Sequence, residues 1–246
     1  MGKKYDRAAR YALYPHELGL CGPSGQKGKL HEYLTLKGKV SDREARTLLD
    51  GFLAAIAYLK LIAASNDIED WLDPRVVDAY WIGNDLLNRV RPENLKELVL
   101  GFSDVGRMTR AVAEETAARV HYEHRPHHSF HVFVVGGITG KVEAGTAGWE
   151  LCRIGWGRVI GVDDESAILT VSARTLRRAG GRVLPELNPK QEECSVRRDP
   201  LILPKVRVDD IVAFHWGRAV EMIDHEAAGR LEYWTERTLR YCQQQT

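Results

Sequence analysis

The run from Val208 to Asp224 constrains this chain more than any other stretch, because it joins a short apolar strand carrying one histidine to a capped helix. Ile211, Val212, Ala213 and Phe214 are consecutive and apolar, which suits a strand covered on both faces, and Gly217 allows a tight backbone passage after it. His215 stands where that strand leaves the core. Asp224 is placed as an N-cap, and Ala227, Leu231, Trp234, Thr238 and Tyr241 then recur at three- and four-residue spacing along one helix face. The chain should therefore end as strand, histidine turn and amphipathic helix.

Upstream, Ser41 and Glu44 have the spacing of a capping box, in which each side chain satisfies a backbone N–H near the other. The helix they open is expected to run to about Ala64 through Leu48, Leu49, Phe52, Leu53, Ile56, Ala57 and Leu59. Asp73-Pro74 begins a second helix with Val76, Val77, Tyr80, Trp81, Leu86, Leu87 and Val90 as its buried side. Arg91-Pro92-Glu93 begins a third, and a fourth is expected from about Asp104 to His121 with Met108, Val112, Thr116, Ala117 and Val120 on one stripe. Gly83 inside the second helix costs about 1 kcal/mol against alanine, so either close packing or a substrate contact must justify it. Residues 1–39 are rich in Gly, Lys and Tyr and are read as an arm or loop. Cys21 lies there in a turn, as an inert small side chain or as a thiol activated by backbone N–H groups.

Of the nine histidines, His121, His124, His127, His128 and His131 crowd one segment, which chance explains poorly. Pro126 should end the preceding helix and leave His121 and His124 on its last turn. A strand follows, with His127, Ser129 and His131 on one face, His128 and Phe130 on the other, and Val132 to Gly140 running into a glycine turn. With Glu123 these imidazoles could surround a borderline metal. The competing structural role is a helix C-terminus favoured by the macrodipole and rings bonded to carbonyls.

After a linker, Lys141 to Trp149, the barrel begins near Glu150. Arg158 to Glu165 and Ser166 to Ser172 read as a hairpin across an acidic turn. Arg174, Arg177, Arg178 and Arg182 form a local basic patch, either a solvated face or a dock for an acidic partner. Across the whole chain Lys+Arg 35 against Asp+Glu 34 leaves a formal charge of +1, which supplies no field to draw it onto nucleic acid or anionic lipid. The opening residues lack the apolar run of a signal peptide and no stretch is long enough to span a bilayer, so a cytoplasmic location is expected. Cys21, Cys152, Cys194 and Cys242 are scattered without a Cys-x-x-Cys pair, which argues against a disulfide framework or zinc ribbon.

Two motifs, in order, carry a resemblance. Cys152-Arg153-Ile154-Gly155-Trp156-Gly157-Arg158-Val159 follows the pattern Cys-x-x-x-Pro-Gly-Lys-Val with Trp156 in place of the proline and Arg158 in place of the lysine, and Ile211 to Ala219 brings His215 in the pattern His-x-Gly-x-Ala. Over residues 150 to 240 the chain resembles the small hydrogenase-maturation chaperones of the HypC/HupF family. The resemblance implies a small OB-like β-barrel with a C-terminal helix, and a Cys152/His215 pair that holds iron bearing CO and cyanide. Arg153, beside the cysteine, is expected by its charge to favour thiolate and meet the cyanides. It implies as partners the hydrogenase maturation proteins or a hydrogenase large subunit. Here Cys152 is internal, with no α-amino group to assist it, and the interval to His215 is longer than in small members, with the excess between Leu184 and Pro204.

The expected class is thus α+β, with an arm at 1–40, a helical domain at 41–149 and a barrel with its helix at 150–246. The expected function is an accessory protein of [NiFe]-hydrogenase maturation, a metallochaperone rather than an enzyme. The alternatives are a metalloenzyme whose active site is the His121–His131 cluster with Glu123 and Cys21, the barrel serving as a support, and a metal-free docking module for a hydrogenase subunit; a second metal at the cluster would be held by His124, His127, His128 and His131.

Overall fold

The computed structural model describes residues 3–136, 145–178 and 185–243. The class is α+β. Ten helices and seven strands are described, and the chain divides into two compact units whose segments interleave. One comprises Met1–Phe52, Glu150–Thr175 and Leu187–Gly229, and the other Leu53–Trp149, Leu176–Glu186 and Arg230–Thr246.

The first unit holds α1 (Asp6–Glu17), α2 (Lys29–Thr35) and α3 (Asp42–Asp50), so the stretch expected as an arm carries two helices, which belong with the strands. Burial of Ala8, Ala9, Tyr11, Ala12, Leu13 and Tyr14 on α1 gives the reason: small and aromatic residues build an apolar surface that the Gly and Lys content obscures. The capping box forms, with Glu44 N–H donating to Ser41 Oγ at 3.2 Å and Ser41 N–H to Glu44 Oε2 at 2.8 Å. The helix it opens stops at Gly51 instead of running on to Ala64.

Five strands close into a barrel: β1 (Gly155–Asp163), β2 (Ile168–Ala173), β5 (Glu192–Arg197), β6 (Ile211–His215) and β7 (Arg218–Ile223). Two short strands, β3 (Leu176–Arg177) and β4 (Glu186–Leu187), lie outside it. The order around the barrel is β1-β2-β5-β7-β6, antiparallel except where β5 meets β7. The β1–β2 hairpin turns where expected, on Asp163, whose carboxylate accepts from the N–H groups of Glu165 and Ser166 and from Ser166 Oγ. Gly157 has no room for a side chain: a Cβ there would stand 2.3 Å from the Ser172 carbonyl on the paired strand. Sequence reading passes directly from His215 to the last helix and omits β7, a strand that follows the two-residue turn Trp216-Gly217, where both residues have positive φ (55° and 68°).

The second unit holds α4 (Leu53–Ala64), α5 (Pro74–Trp81), a short 3₁₀ turn (Asp85–Arg89), α6 (Pro92–Asp104), α7 (Arg110–Ala118) and α8 (His128–Phe130), which runs on as a π-helical turn (His131–Val135). Val132 to Val135 were expected as a strand. All four are buried, and a short apolar run so covered has no periodicity to separate strand from helix. The fourth helix also ends at Ala118, short of His121. Helix α9 (Thr146–Cys152) occupies part of the expected linker, while Lys141, the glycine turn at Gly140, Arg182 and Leu184 lie outside the described residues. Of the basic patch, Arg177 pairs with Glu186 at 2.7 Å and Arg174 donates to the Asn188 carbonyl. Helix α10 (His225–Gln243) starts at the expected cap, Ala227 N–H donating to Asp224 Oδ1 at 2.7 Å.

Gly83 is not inside a helix. Helix α5 ends before it, and at φ 95° Gly83 turns the chain into the 3₁₀ segment that Asn84 caps. Its missing side chain makes room for Trp234, whose Cδ1 lies 1.9 Å from where a Cβ would be, and its carbonyl accepts from Arg230 Nε at 2.8 Å. No single helix among the described residues is long and apolar enough to cross a membrane.

Candidate functional site

Within the barrel unit, Cys152 Sγ and a ring nitrogen of His215 lie within 4.8 Å of one another. Cys152 is the last residue of α9, three residues before β1 begins, and His215 is the last residue of β6. Because β1 pairs with β6 from Gly155↔Phe214 onward, the start of one strand lies beside the end of the other. Trp216 N–H donates to the Leu151 carbonyl at 2.9 Å and ties the two ends together beyond the ladder. The β1–β6 register and this bond together bring the two residues into proximity.

His215 is 2% exposed, and burial lowers its pKa to about 4, opposed in part by contacts with the carbonyls of Tyr11 and Cys152. The imidazole is thus neutral at pH 7. Its Nδ1 lies 3.0 Å from the Tyr11 carbonyl oxygen on α1. A carbonyl can only accept, and the Tyr11 carbonyl acts on the ring more strongly than that of Cys152, so Nδ1 carries the proton and the neutral ring keeps its lone pair on Nε2. Cys152 keeps some exposure as a residue, while burial of its thiol pushes the pKa up to about 12. Negative charge at Cys21 pushes it the same way, which places a second, exposed sulfur within electrostatic reach.

Arg153 does something other than lower that thiol. Only 1% exposed, it donates to both carboxylate oxygens of Glu150 and to the carbonyls of Ile154 and Arg174, and its guanidinium stacks 5.5 Å from the Trp156 ring. These bonds make it an internal tie between α9 and the barrel. The Cys152 pKa is raised, against the lowering expected of a neighbouring arginine.

The histidine segment is used differently. His121 Nδ1 accepts from Glu123 N–H at 3.1 Å, His124 Nδ1 from His121 N–H at 3.0 Å, and His127 Nδ1 from Ser129 N–H at 3.2 Å. Each ring caps backbone that no helix or sheet satisfies, as asparagine and aspartate do in turns. The neutral ring then carries its proton on Nε2 and has no lone pair left for a metal. The second nitrogen of His124 lies 3.7 Å from Cys242 Sγ, and the His127 ring faces the carbonyls of Trp81 and Ile82. His128 and His131 meet tyrosine hydroxyls, of Tyr80 at 3.1 Å and Tyr58 at 3.3 Å. Glu123 is bound by Arg237. Burial lowers the pKa of His124 to about 4, of His127 to about 3 and of His131 to about 4.

The Tyr11 carbonyl is the part of the barrel site that sequence reasoning missed, and Cys21, read there as inert or as an activated thiol, was not placed near Cys152. A backbone acceptor leaves no residue signature of its own, although Pro15, four residues beyond Tyr11, is a signal that could have found it. No curated protein and no solved structure matches the chain. Over residues 3–246 it matches the model described as a family of unknown function (DUF6390), and it belongs to that family.

Proposed function

We propose that the chain is a metal-handling accessory protein whose Cys152 and His215 hold an ion by few protein bonds. In line with its resemblance to the HypC/HupF family, we take the cargo to be ferrous iron carrying CO and cyanide on its way to a hydrogenase subunit. The observation that carries the reading is the approach of one sulfur and one ring nitrogen to within 4.8 Å. Thiolate is a soft ligand and imidazole a borderline one, which would suit iron whose other positions are filled by diatomic ligands and which needs only a temporary hold.

The architecture supports the same reading. We read the barrel as OB-like, because five strands close with a single parallel pairing, between the third and fifth, and a helix follows. The internal position of Cys152 removes a terminal amine as a ligand. The second reading, a metalloenzyme at the histidine segment, is disfavoured by the three rings whose Nδ1 atoms cap backbone N–H groups.

The test is infrared spectroscopy of protein purified anaerobically after co-expression with hydrogenase-maturation proteins. Bands of metal-bound CO and cyanide are expected in the wild type and should vanish in Cys152→Ala. Their absence from the wild type, or their survival in Cys152→Ala, overturns the iron-carrier reading. Metal that survives Cys152→Ala but is lost in a His127→Ala, His131→Ala double variant would move the site to the histidine segment.

A further inference from the structure

We infer that Pro15 is a positioning residue for His215: by leaving the Tyr11 carbonyl without its helical donor, it fixes the imidazole tautomer that can bind a metal. The inference rests on the metal-holding reading of Cys152 and His215, but its structural half stands without it.

Helix α1 spans Asp6–Glu17 and contains Pro15 one turn after Tyr11. In an uninterrupted helix the N–H of residue 15 would donate to the carbonyl of residue 11. Proline has no N–H, and its ring pushes against the carbonyl four residues earlier, tilting it away from the helix axis. That carbonyl is the one His215 uses, at 3.0 Å from Nδ1. A proline inside a helix is ordinarily a cost to stability, and here its effect is to turn a backbone acceptor onto a buried ring.

The surroundings hold α1 against the barrel at this point. Glu221 on β7 accepts from Tyr11 Oη at 3.0 Å and from Arg7 Nε and Nη2 at 2.9 and 2.7 Å, and Arg10 donates to the Ile202 carbonyl at 3.1 Å. The Tyr11 carbonyl is therefore fixed relative to β6 and β7 by side chains on either side of it. Hydrogen bonds of this kind behind a ligating histidine orient the ring and raise its basicity, and their loss typically weakens metal binding by about 10–100-fold.

The test is Pro15→Ala, which restores the N–H at position 15 without adding bulk. In metal-free protein labelled with ¹⁵N at histidine, long-range proton–nitrogen correlation should report His215 as the Nδ1–H form in the wild type and a shift toward the Nε2–H form in the variant. Cobalt(II) alone serves as the metal probe, read by its thiolate charge-transfer absorption, and its affinity should fall about 10–100-fold in Pro15→Ala. The thermal midpoint should be no lower than that of the wild type, since alanine is the better helix former, which separates positioning from folding. An unchanged tautomer, or a changed tautomer with unchanged cobalt affinity, overturns the inference while leaving the metal site intact. A wild type that binds no cobalt overturns the reading of the site, and the tautomer measurement then still decides the role of Pro15.

Discussion

His215 and His124 are held in opposite tautomers. The Nδ1 of His215 faces the Tyr11 carbonyl and must donate, whereas the Nδ1 of His124 receives the His121 N–H and must accept. Both rings are buried and neutral at pH 7, so the difference comes from the backbone group each one meets. Only the first arrangement leaves Nε2 with a lone pair for an ion.

The histidine segment should accordingly respond to substitution as a set of caps. His127→Asn keeps an acceptor for the Ser129 N–H and should cost little beyond lost packing, whereas His127→Ala removes the cap and should cost about 1 kcal/mol more. Urea unfolding of the two variants measures the difference. Metal content should equal that of the wild type in both, and a loss of metal in His127→Ala alone would assign the ring a ligand's role.

Gly83 and Trp234 give a sharper stability test. An alanine at position 83 would have to hold φ near 95° and place its Cβ 1.9 Å from Trp234 Cδ1. Backbone strain of about 1–3 kcal/mol and overpacking of a similar amount should combine. Gly83→Ala is expected to be among the most destabilising single methyl additions in the chain. Adding Trp234→Ala should recover the steric part and leave the φ cost, so the double variant should be more stable than the sum of the two single losses predicts. Strict additivity in a double-mutant cycle would show that the indole is not what excludes the side chain.

Much of this was legible in the sequence wherever the signal is local. The Ser41–Glu44 box, the Asp224 cap and the Asp163 turn each satisfy backbone groups within three residues, and they formed where the residues demanded. The limits appear where burial decides. Val132 to Val135 have strand propensity yet coil as a π-helical turn behind His127, whose ring caps the start of that helical stretch. Strand β7 was hidden by a turn with Trp216 at φ 55°, a conformation that no preference for tryptophan announces. At the site, Cys152 and His215 carried visible motifs, but the carbonyl that orients the ring belongs to Tyr11 and is exposed to it by Pro15, more than a hundred residues away in the chain.

Arg153 should act on stability rather than on the Cys152 thiol. Its guanidinium is 1% exposed and joins Glu150 on α9 to the carbonyls of Ile154 and Arg174. Removing it in Arg153→Ala leaves buried acceptors unpaired and a cavity beside Trp156, with an expected loss of about 3–5 kcal/mol. Urea denaturation of Arg153→Ala checks the magnitude. Arg153→Lys should recover only part of the loss, because one ammonium cannot reproduce the planar fork that meets the carboxylate and two carbonyls. If alkylation of Cys152 instead slowed sharply in Arg153→Lys with stability unchanged, the arginine would be acting on the sulfur after all.

Acid should unfold the second unit before the first. Burial depresses the pKa of His124 to about 4, of His127 to about 3 and of His131 to about 4, and these three lie in that unit, whereas His215, also at about 4, lies in the barrel unit. Above about pH 6.5 the rings are neutral in both folded and unfolded chains and contribute no pH dependence. As pH falls below 6.5 the unfolded chain takes up protons that the folded rings refuse, so stability declines by up to about 1.4 kcal/mol per pH unit for each such histidine. The decline eases near pH 4, where the folded rings begin to protonate, and last at His127. Urea midpoints should therefore hold steady from pH 8 to 7 and drop from pH 6 to 5. Fluorescence of Trp81 and Trp234 should be lost at lower urea than the barrel signal from Trp156 and Trp216. Replacing His131 by Phe should flatten the slope, since a ring that cannot protonate no longer favours the unfolded state in acid. Midpoints that stay level from pH 7 to 5 would mean that the buried rings accept protons in place.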